Sequence, residues 1–251
     1  MEIKQFKACI VGVILVCTGT AQAIPRSFAV TGGLHAPVFG NHSNVSINND
    51  VTNNYNFKRN TTWQGVAGIE LSQQLAYKLF SRYRINYGIA GYFLNLGKAQ
   101  GIEHPLINFG LFDSLDYQFK TQSAALMVQT AYGYQMNRWQ PFILVGIGNS
   151  WNRFSQYRER PTNPSLSASP AVLFNGHTSA SFAYTLSVGT QFLLGKALAH
   201  PIEYNAAVRY QYFNLGSGRL GRAPLQTSDS RLQIKSLYTQ GVLFSLIATF
   251  G

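Results

Sequence analysis

Side chains that alternate at period two, a composition poor in charge yet not apolar on average, and connections that alternate between long and short predict an all-β fold: an eight-stranded antiparallel up-and-down transmembrane β-barrel. Only 12% of the 251 residues are charged, about half of the roughly 25% usual in a soluble domain. Yet 46% are hydrophobic and 14% aromatic, and the mean hydropathy is −0.03. Outside residues 8–17, no apolar run approaches the roughly 18–20 residues of a membrane helix, which excludes a polytopic helical protein. The aromatic content argues against disorder. A closed sheet can face lipid without apolar runs, because its backbone groups are satisfied between strands.

The chain opens on a cleavable export signal over residues 1–23. Lys4 and Lys7 form its basic region, Ala8 to Cys17 its apolar core and Ala21-Gln22-Ala23 its small-residue cleavage site. Cleavage removes both cysteines, Cys9 and Cys17, so the mature chain has no disulfide, thiolate nucleophile or cysteine metal site. It also removes Glu2, Lys4 and Lys7, lowering the net charge of +11 by one. Residues 24–251 then form a single barrel domain. For an exported chain this charge suits anionic lipid or lipopolysaccharide better than nucleic acid.

The first strand, 27–35, carries Phe28, Val30 and Leu34 on one face. The second, 62–71, sets Trp63, Ala67, Ile69 and Leu71 against Gln64, Val66 and Glu70. The third, 83–93, sets Tyr83, Ile85, Tyr87, Ile89 and Phe93 against Arg84, Asn86, Gly88 and Ala90. Residues 115–135 change phase: Leu115, Tyr117 and Phe119 share one parity, and Leu126, Val128, Thr130, Tyr132 and Tyr134 the other. A bulge near Thr121 to Ala124 would reconcile them. Residues 141–151 are apolar on both parities, so their facing stays open.

The sixth strand, 180–194, is the most regular, with Phe182, Tyr184, Leu186, Val188, Phe192 and Leu194 on one face and Ser181, Ala183, Thr185, Ser187, Gly189 and Gln191 on the other. At about 3.3 Å per residue and a tilt near 45°, it crosses an apolar band of ~25 Å with its ends protruding. The seventh runs from Ile202 to Tyr212 and the eighth from Tyr238 to Phe250. Long polar loops are expected at about 36–61, 95–114, 152–179 and 213–233, with shorter turns near 72–81, 136–140 and 195–201. That pattern places four loops on one rim, facing outside the cell, and both termini on the other, in the periplasm. The Asn-rich first loop, nearly without apolar content, reads as mobile.

Trp139-Gln140-Pro141-Phe142 leading into Val145-Gly146-Ile147-Gly148, then Val208-Arg209-Tyr210-Gln211-Tyr212, and the alternating end from Val242 to Phe250 give the chain its family likeness. It resembles the small eight-stranded outer-membrane barrels, the superfamily of opacity proteins and of the transmembrane domain of outer-membrane protein A. The resemblance implies the outer membrane of a Gram-negative bacterium. It also implies a terminal strand, ending at Phe250, that the barrel assembly machinery reads, although Gly251 follows here. A soluble lipocalin-like barrel fits less well, because Glu70, Arg84, Glu203 and Arg209 lie on the face opposite the apolar one.

Four charges are the candidate lumen plug: Glu70, Arg84, Glu203 and Arg209, with Lys120 a further lumen charge. A hairpin centred near Tyr77 would set Glu70 opposite Arg84, so Arg84→Ala is expected to destabilise the barrel. Arg153, Arg158 and Arg160 in the third loop, and Arg219, Arg222, Arg231 and Lys235 in or beside the fourth, are candidate contacts for lipopolysaccharide phosphate or a host surface ligand. The expected role is non-enzymatic, a surface protein for envelope integrity or adhesion. A narrow pore for small solutes and a lipid A-modifying enzyme are the alternatives. His177-Thr178-Ser179 supplies a His-x-Ser pair, but Gln191 stands where a Glu twelve residues on would have completed it. The five His residues lack ligand spacing, and no phosphate-binding loop or dinucleotide fingerprint occurs, so no metal, cofactor or nucleic acid is expected.

Overall fold

The computed structural model describes residues 26–40, 42–58, 62–75, 82–106, 114–163, 173–197, 202–224 and 226–250. The export signal and Gly251 lie outside the described residues. Strands follow in chain order: β1 (Arg26–Phe39), β2 (His42–Ser46), β3 (Thr52–Phe57), β4 (Gln64–Gln74), β5 (Tyr83–His104) and β6 (Leu115–Tyr134). Then come β7 (Trp139–Pro161), β8 (His177–Lys196), β9 (Ile202–Asn214), β10 (Gly218–Arg219), β11 (Gln233–Ile234) and β12 (Leu237–Phe250).

Eight of them, β1, β4, β5, β6, β7, β8, β9 and β12, form one closed antiparallel ring in which chain neighbours pair and β1 meets β12. Closure leaves this ring without an open edge, the condition lipid imposes on a sheet. Arg26 pairs with Phe250, so both described ends of the chain stand on one rim, the terminal rim. The other, the loop rim, carries the hairpins β2–β3 and β10–β11, with β3 extending the sheet along the end of β5.

Alternation builds a wide apolar belt on the outside. Leu246 is 68% exposed, Phe182 63% and Ile147 60%, beside Val30, Ile69, Phe93, Val128, Val188 and Phe244. A belt of this extent on every barrel strand is far larger than a soluble surface carries, and it fits the hydrocarbon core of a membrane. Aromatic pairs flank it. Tyr83–Tyr134 at 5.2 Å and Trp139–Phe192 at 4.5 Å lie toward the terminal rim, and Tyr184, Tyr212 and Tyr238 form a ladder at 6.2 and 5.9 Å toward the loop rim. Such girdles mark the two membrane interfaces.

The structure settles residues 141–151: Ile143, Val145 and Ile147 face out, and Gln140, Leu144 and Ser150 face in. β6 itself carries no extra residue at Thr121 to Ala124, and its odd-numbered residues face inward throughout; the β5–β6 pairing does shift there, but the inserted residue is on β5, opposite Thr121 and Gln122. What changes is the surroundings. Inside, a polar lumen gives way to an apolar one, while outside, lipid gives way to water, so the apolar side chains swap faces along one unbroken strand.

The two bulges lie on the strands that flank β6. On β5 the pairing shifts between Asn95 and Gly97, where Gly97 takes φ +73° and its N–H donates to Asn95 Oδ1 at 3.2 Å. On β7 it shifts opposite Gln118 to Lys120, where Gln156 takes φ +57°. Each inserts a residue and reverses the facing beyond it.

Both bulges fall in segments expected to be loops, because β5 and β7 run on to His104 and Pro161. The first loop also departs from expectation. β2 and β3 pair from Ser46↔Thr52 to His42↔Asn56, and Val45 and Tyr55 are fully buried. Val45 and Tyr55, with Ile47 and Phe57 partly buried beside them, dock the hairpin despite its many asparagines.

Candidate functional site

The lumen is blocked at two levels. The lower block, inside the lipid belt, centres on Glu70 of β4 and Arg209 of β9, both buried and ion-paired across the barrel. Arg209 Nη1 donates to Glu70 Oε2 at 3.2 Å and its Nη2 to Oε1, a bidentate grip. Glu70 also accepts from Thr31 Oγ1 at 2.8 Å, Tyr92 OH at 3.2 Å and Gln129 Nε2 at 3.1 Å. Arg209 Nε donates to Gln211 Oε1 at 2.8 Å, and Gln211 Nε2 donates to Thr185 Oγ1 at 2.8 Å. Thr31 and Ser245 hydroxyls share a bond at 2.8 Å.

Every barrel strand but β7 thus gives a side chain to this layer. β7 places Gly146 there, where a Cβ would lie 2.9 Å from Thr185 Cγ2 and 3.2 Å from Gln129 Cβ. Glycine leaves the room the plug occupies.

Arg84 is not the partner of Glu70. The register sets Glu70 opposite Ala90, and Arg84 opposite Gly133. Arg84 lines a vestibule of about 270 Å³ that opens toward the terminal rim and has Glu70 and Arg209 at its floor. The stability attributed to Arg84 therefore belongs to Arg209. Glu203 lines the same vestibule, bonded to Lys196 Nζ at 2.6 Å near the rim. Lys120 is not a lumen charge, because its even-numbered position faces outward, opposite Lys98.

The upper block is apolar and stands above the belt. Phe119, Phe154 and Tyr117 from the wall meet Tyr55 of β3 and Phe174, with ring centroids 5.4 Å apart for Phe119–Phe154 and Tyr55–Tyr117 and 5.9 Å for Tyr55–Phe174. Leu215, Leu220, Leu232 and Ile234, from the segment around β10 and β11, are fully buried against it. Asn152 Nδ2 holds that segment down by donating to Leu215 O at 2.8 Å and Ser217 O at 2.9 Å. Gln226 ties it to β2 through Ser46 O at 3.1 Å.

Within this cap lies a pair of buried carboxyls that the sequence did not single out. The two bulges turn Glu103 of β5 and Glu159 of β7 inward, where Tyr157 OH stands between the carboxyls, 2.6 Å from Glu159 Oε1 and 3.4 Å from Glu103 Oε2. Asn53 Nδ2 and Tyr55 OH donate to Glu103 Oε1 at 2.7 and 2.8 Å, fastening the β2–β3 hairpin to the wall. Burial, then the charge of Glu159, pushes the Glu103 carboxyl up to about 8.

Folded Glu103 therefore keeps a proton that an unfolded carboxyl, near 4.5, has released. Between those values the folded cap binds more protons, so its stability falls as pH rises, and it is greatest in acid. A melt followed by near-ultraviolet circular dichroism of the cap aromatics is expected to move to lower temperature from pH 5 to pH 9. Glu103→Gln is expected to flatten that dependence, and a wild-type melt independent of pH would contradict the assignment.

The sequence-picked arginines divide. Arg153, Arg158 and Arg160 stand exposed on the outer wall of β7, above the belt, rather than in a loop. Arg222 pairs with Asp229, and Arg231 folds back on its own loop, donating to Ser230 O at 2.9 Å. Arg219 and Lys235 are exposed beside the cap. His177 and Ser179 begin β8 on the inward parity, and Ser179 Oγ accepts from the Arg219 N–H at 3.3 Å.

No family model matches the chain, and no curated protein matches it. Among solved structures it is similar to Neisserial surface protein A, at 9% identity and a TM-score of 0.42, over 89% of this chain and 97% of that one. It is also similar to the outer membrane protein OprG from Pseudomonas aeruginosa, at 14% identity and a TM-score of 0.38, over 88% and 95%. A third is the outer membrane protease OmpT from Escherichia coli, at 9% identity and a TM-score of 0.32, over 92% and 98%. The eight-strand ring and its exposed apolar belt establish the fold class here.

Proposed function

We propose that this chain is a non-conducting, non-enzymatic surface barrel of the outer membrane, with an adhesion or envelope-integrity role carried by its cap and loop rim. The loop rim faces outside the cell, and the terminal rim faces the periplasm. The observation that carries the reading is the doubly closed lumen, a charge-paired plug beneath an aromatic cap, in place of an open channel. An eight-strand ring has interior enough for side chains alone. No acidic residue occurs between Glu159 and Glu203, so β8 gives His177 and Ser179 no carboxylate of its own, which favours a barrel without lipid A-modifying activity.

Positive charge above the belt is the means of contact this reading assigns to anionic partners. Protease treatment of intact cells is expected to cut only segments beyond the loop rim and to abolish surface binding while the belt strands stay whole. Binding that survives complete shaving would contradict a role on that rim, and cleavage at the terminal rim in sealed cells would contradict the orientation.

A further inference from the structure

The outer wall of β5, β6 and β7 carries an ordered set of cations above the belt. In register from the belt upward, Arg153 lies opposite Gln122, Lys98 opposite Lys120, Arg158 opposite Gln118 and Arg160 opposite Asp116. Lys58 joins from the end of β3, its backbone N–H on Gln100 O at 2.8 Å and its Nζ on Asp116 Oδ1 at 3.1 Å. Six cations thus surround one carboxylate, Asp116. All are held on paired strands, with the inward neighbours Ala99, Tyr117, Phe119 and Tyr157 buried in the cap.

The level of this patch is set by the belt. Lys98 stands five residues beyond Phe93, which at about 3.3 Å per residue and a tilt near 45° is roughly 12 Å above an exposed lipid-facing ring. The headgroup layer begins within that distance of the hydrocarbon edge. Lys98 and Lys120 lie directly across from one another, so the register sets two like charges side by side on the wall.

Two shallow depressions meet at Gln100. One, of about 420 Å³, is lined by Lys98, Lys120 and Asn95, and the other, of about 220 Å³, by Lys58, Arg158 and Arg160 together with Asp116, the carboxylate that pairs with Lys58. We infer that this wall binds the phosphorylated headgroup of lipopolysaccharide, one phosphate in each depression, with Gln100 and Gln118 between them. The inference rests on the orientation proposed above, which puts this wall in the outer leaflet. Arg and Lys on rigid strands meet phosphate with charge-assisted bonds, and the arginines with bidentate ones.

The test titrates the full chain in detergent micelles with bisphosphorylated lipid A and with its dephosphorylated form. The triple variant Lys98→Gln, Lys120→Gln, Arg158→Gln is expected to lose affinity for the bisphosphorylated lipid about tenfold or more, as the wild type does toward the dephosphorylated one. Arg222→Gln with Arg231→Gln, in the cap, is expected to leave affinity unchanged. Should the triple variant fail to fold, Lys98→Gln alone is read, with a smaller loss in the same direction.

Equal binding of both lipids, or a folded variant as tight as the wild type, would overturn the site. Full displacement by millimolar inorganic phosphate would overturn the lipid assignment in favour of a free anion, and equal affinity for a sulfated polysaccharide would overturn it in favour of a host glycan. Cleavage at the terminal rim in sealed cells would defeat the orientation and leave these micelle titrations unaltered, so the two failures are distinguishable.

Discussion

Arg209→Ala is expected to destabilise the barrel by about 3–5 kcal/mol, because it leaves the Glu70 carboxylate, buried at the foot of the vestibule, without its charge partner. Thr31, Tyr92 and Gln129 would still donate to Glu70, but none carries charge. The reciprocal Glu70→Ala leaves Arg209 buried and is expected to cost about as much. Replacing both, as Glu70→Gln with Arg209→Met, removes the two charges together and is expected to recover most of the loss, since a buried pair contributes little net stability over an apolar substitute. Urea unfolding in lipid vesicles, followed by the mobility shift between folded and unfolded barrel, measures the wild type and the three variants. A double variant as unstable as the sum of the singles would show that the two residues do not act as a pair.

Phe154→Ala is expected to cost about 3–5 kcal/mol, and to spend it locally. Phe154 is fully buried, packs at a tilt with its centroid 5.4 Å from that of Phe119, and lies so close beneath Gly218 that a Cβ there would meet its ring at 2.5 Å. Removing the ring takes the floor from under the segment around β10 and β11. Limited proteolysis in lipid vesicles is expected to cut that segment much faster in the variant while the belt strands remain protected. Unchanged cleavage of the cap would contradict a packed upper block, and loss of the whole barrel would contradict its separateness from the belt.

What could be read from the sequence follows the membrane. Phe182 to Leu194 on β8 and Ile202 to Tyr212 on β9 alternate cleanly because lipid lies on one side and a polar lumen on the other. Above the belt that rule inverts. Tyr117, Phe119 and Phe154 face in and Lys120, Arg153 and Arg158 face out, so a pattern keyed to lipid reads the same strands as a phase slip in β6 and as loop in β5 and β7. The alternation of Tyr55 and Phe57, with Val45 across the hairpin, was a signal of the docked first loop, but the asparagines around it masked it.

The plug was half legible. Its members Glu70 and Arg209 stood out as charges among small residues, but their pairing runs across the lumen between strands far apart in sequence. It is set by the register of the whole ring, which no single hairpin estimate contains. Centring the hairpin near Tyr77 rather than near residue 80 moved Glu70 from Ala90 to Arg84. The carboxyl pair Glu103–Glu159 was hidden for a related reason, since only the bulges at Gly97 and Gln156 turn both side chains inward.

The central claim is a barrel closed at two levels, and single-channel recording in a planar bilayer tests it most directly. The wild-type chain, inserted and verified as folded, is expected to give no resolved conductance steps, and Arg209→Ala alone to give none either, because the aromatic cap still seals the lumen. Regular, reproducible steps from the wild type would contradict it.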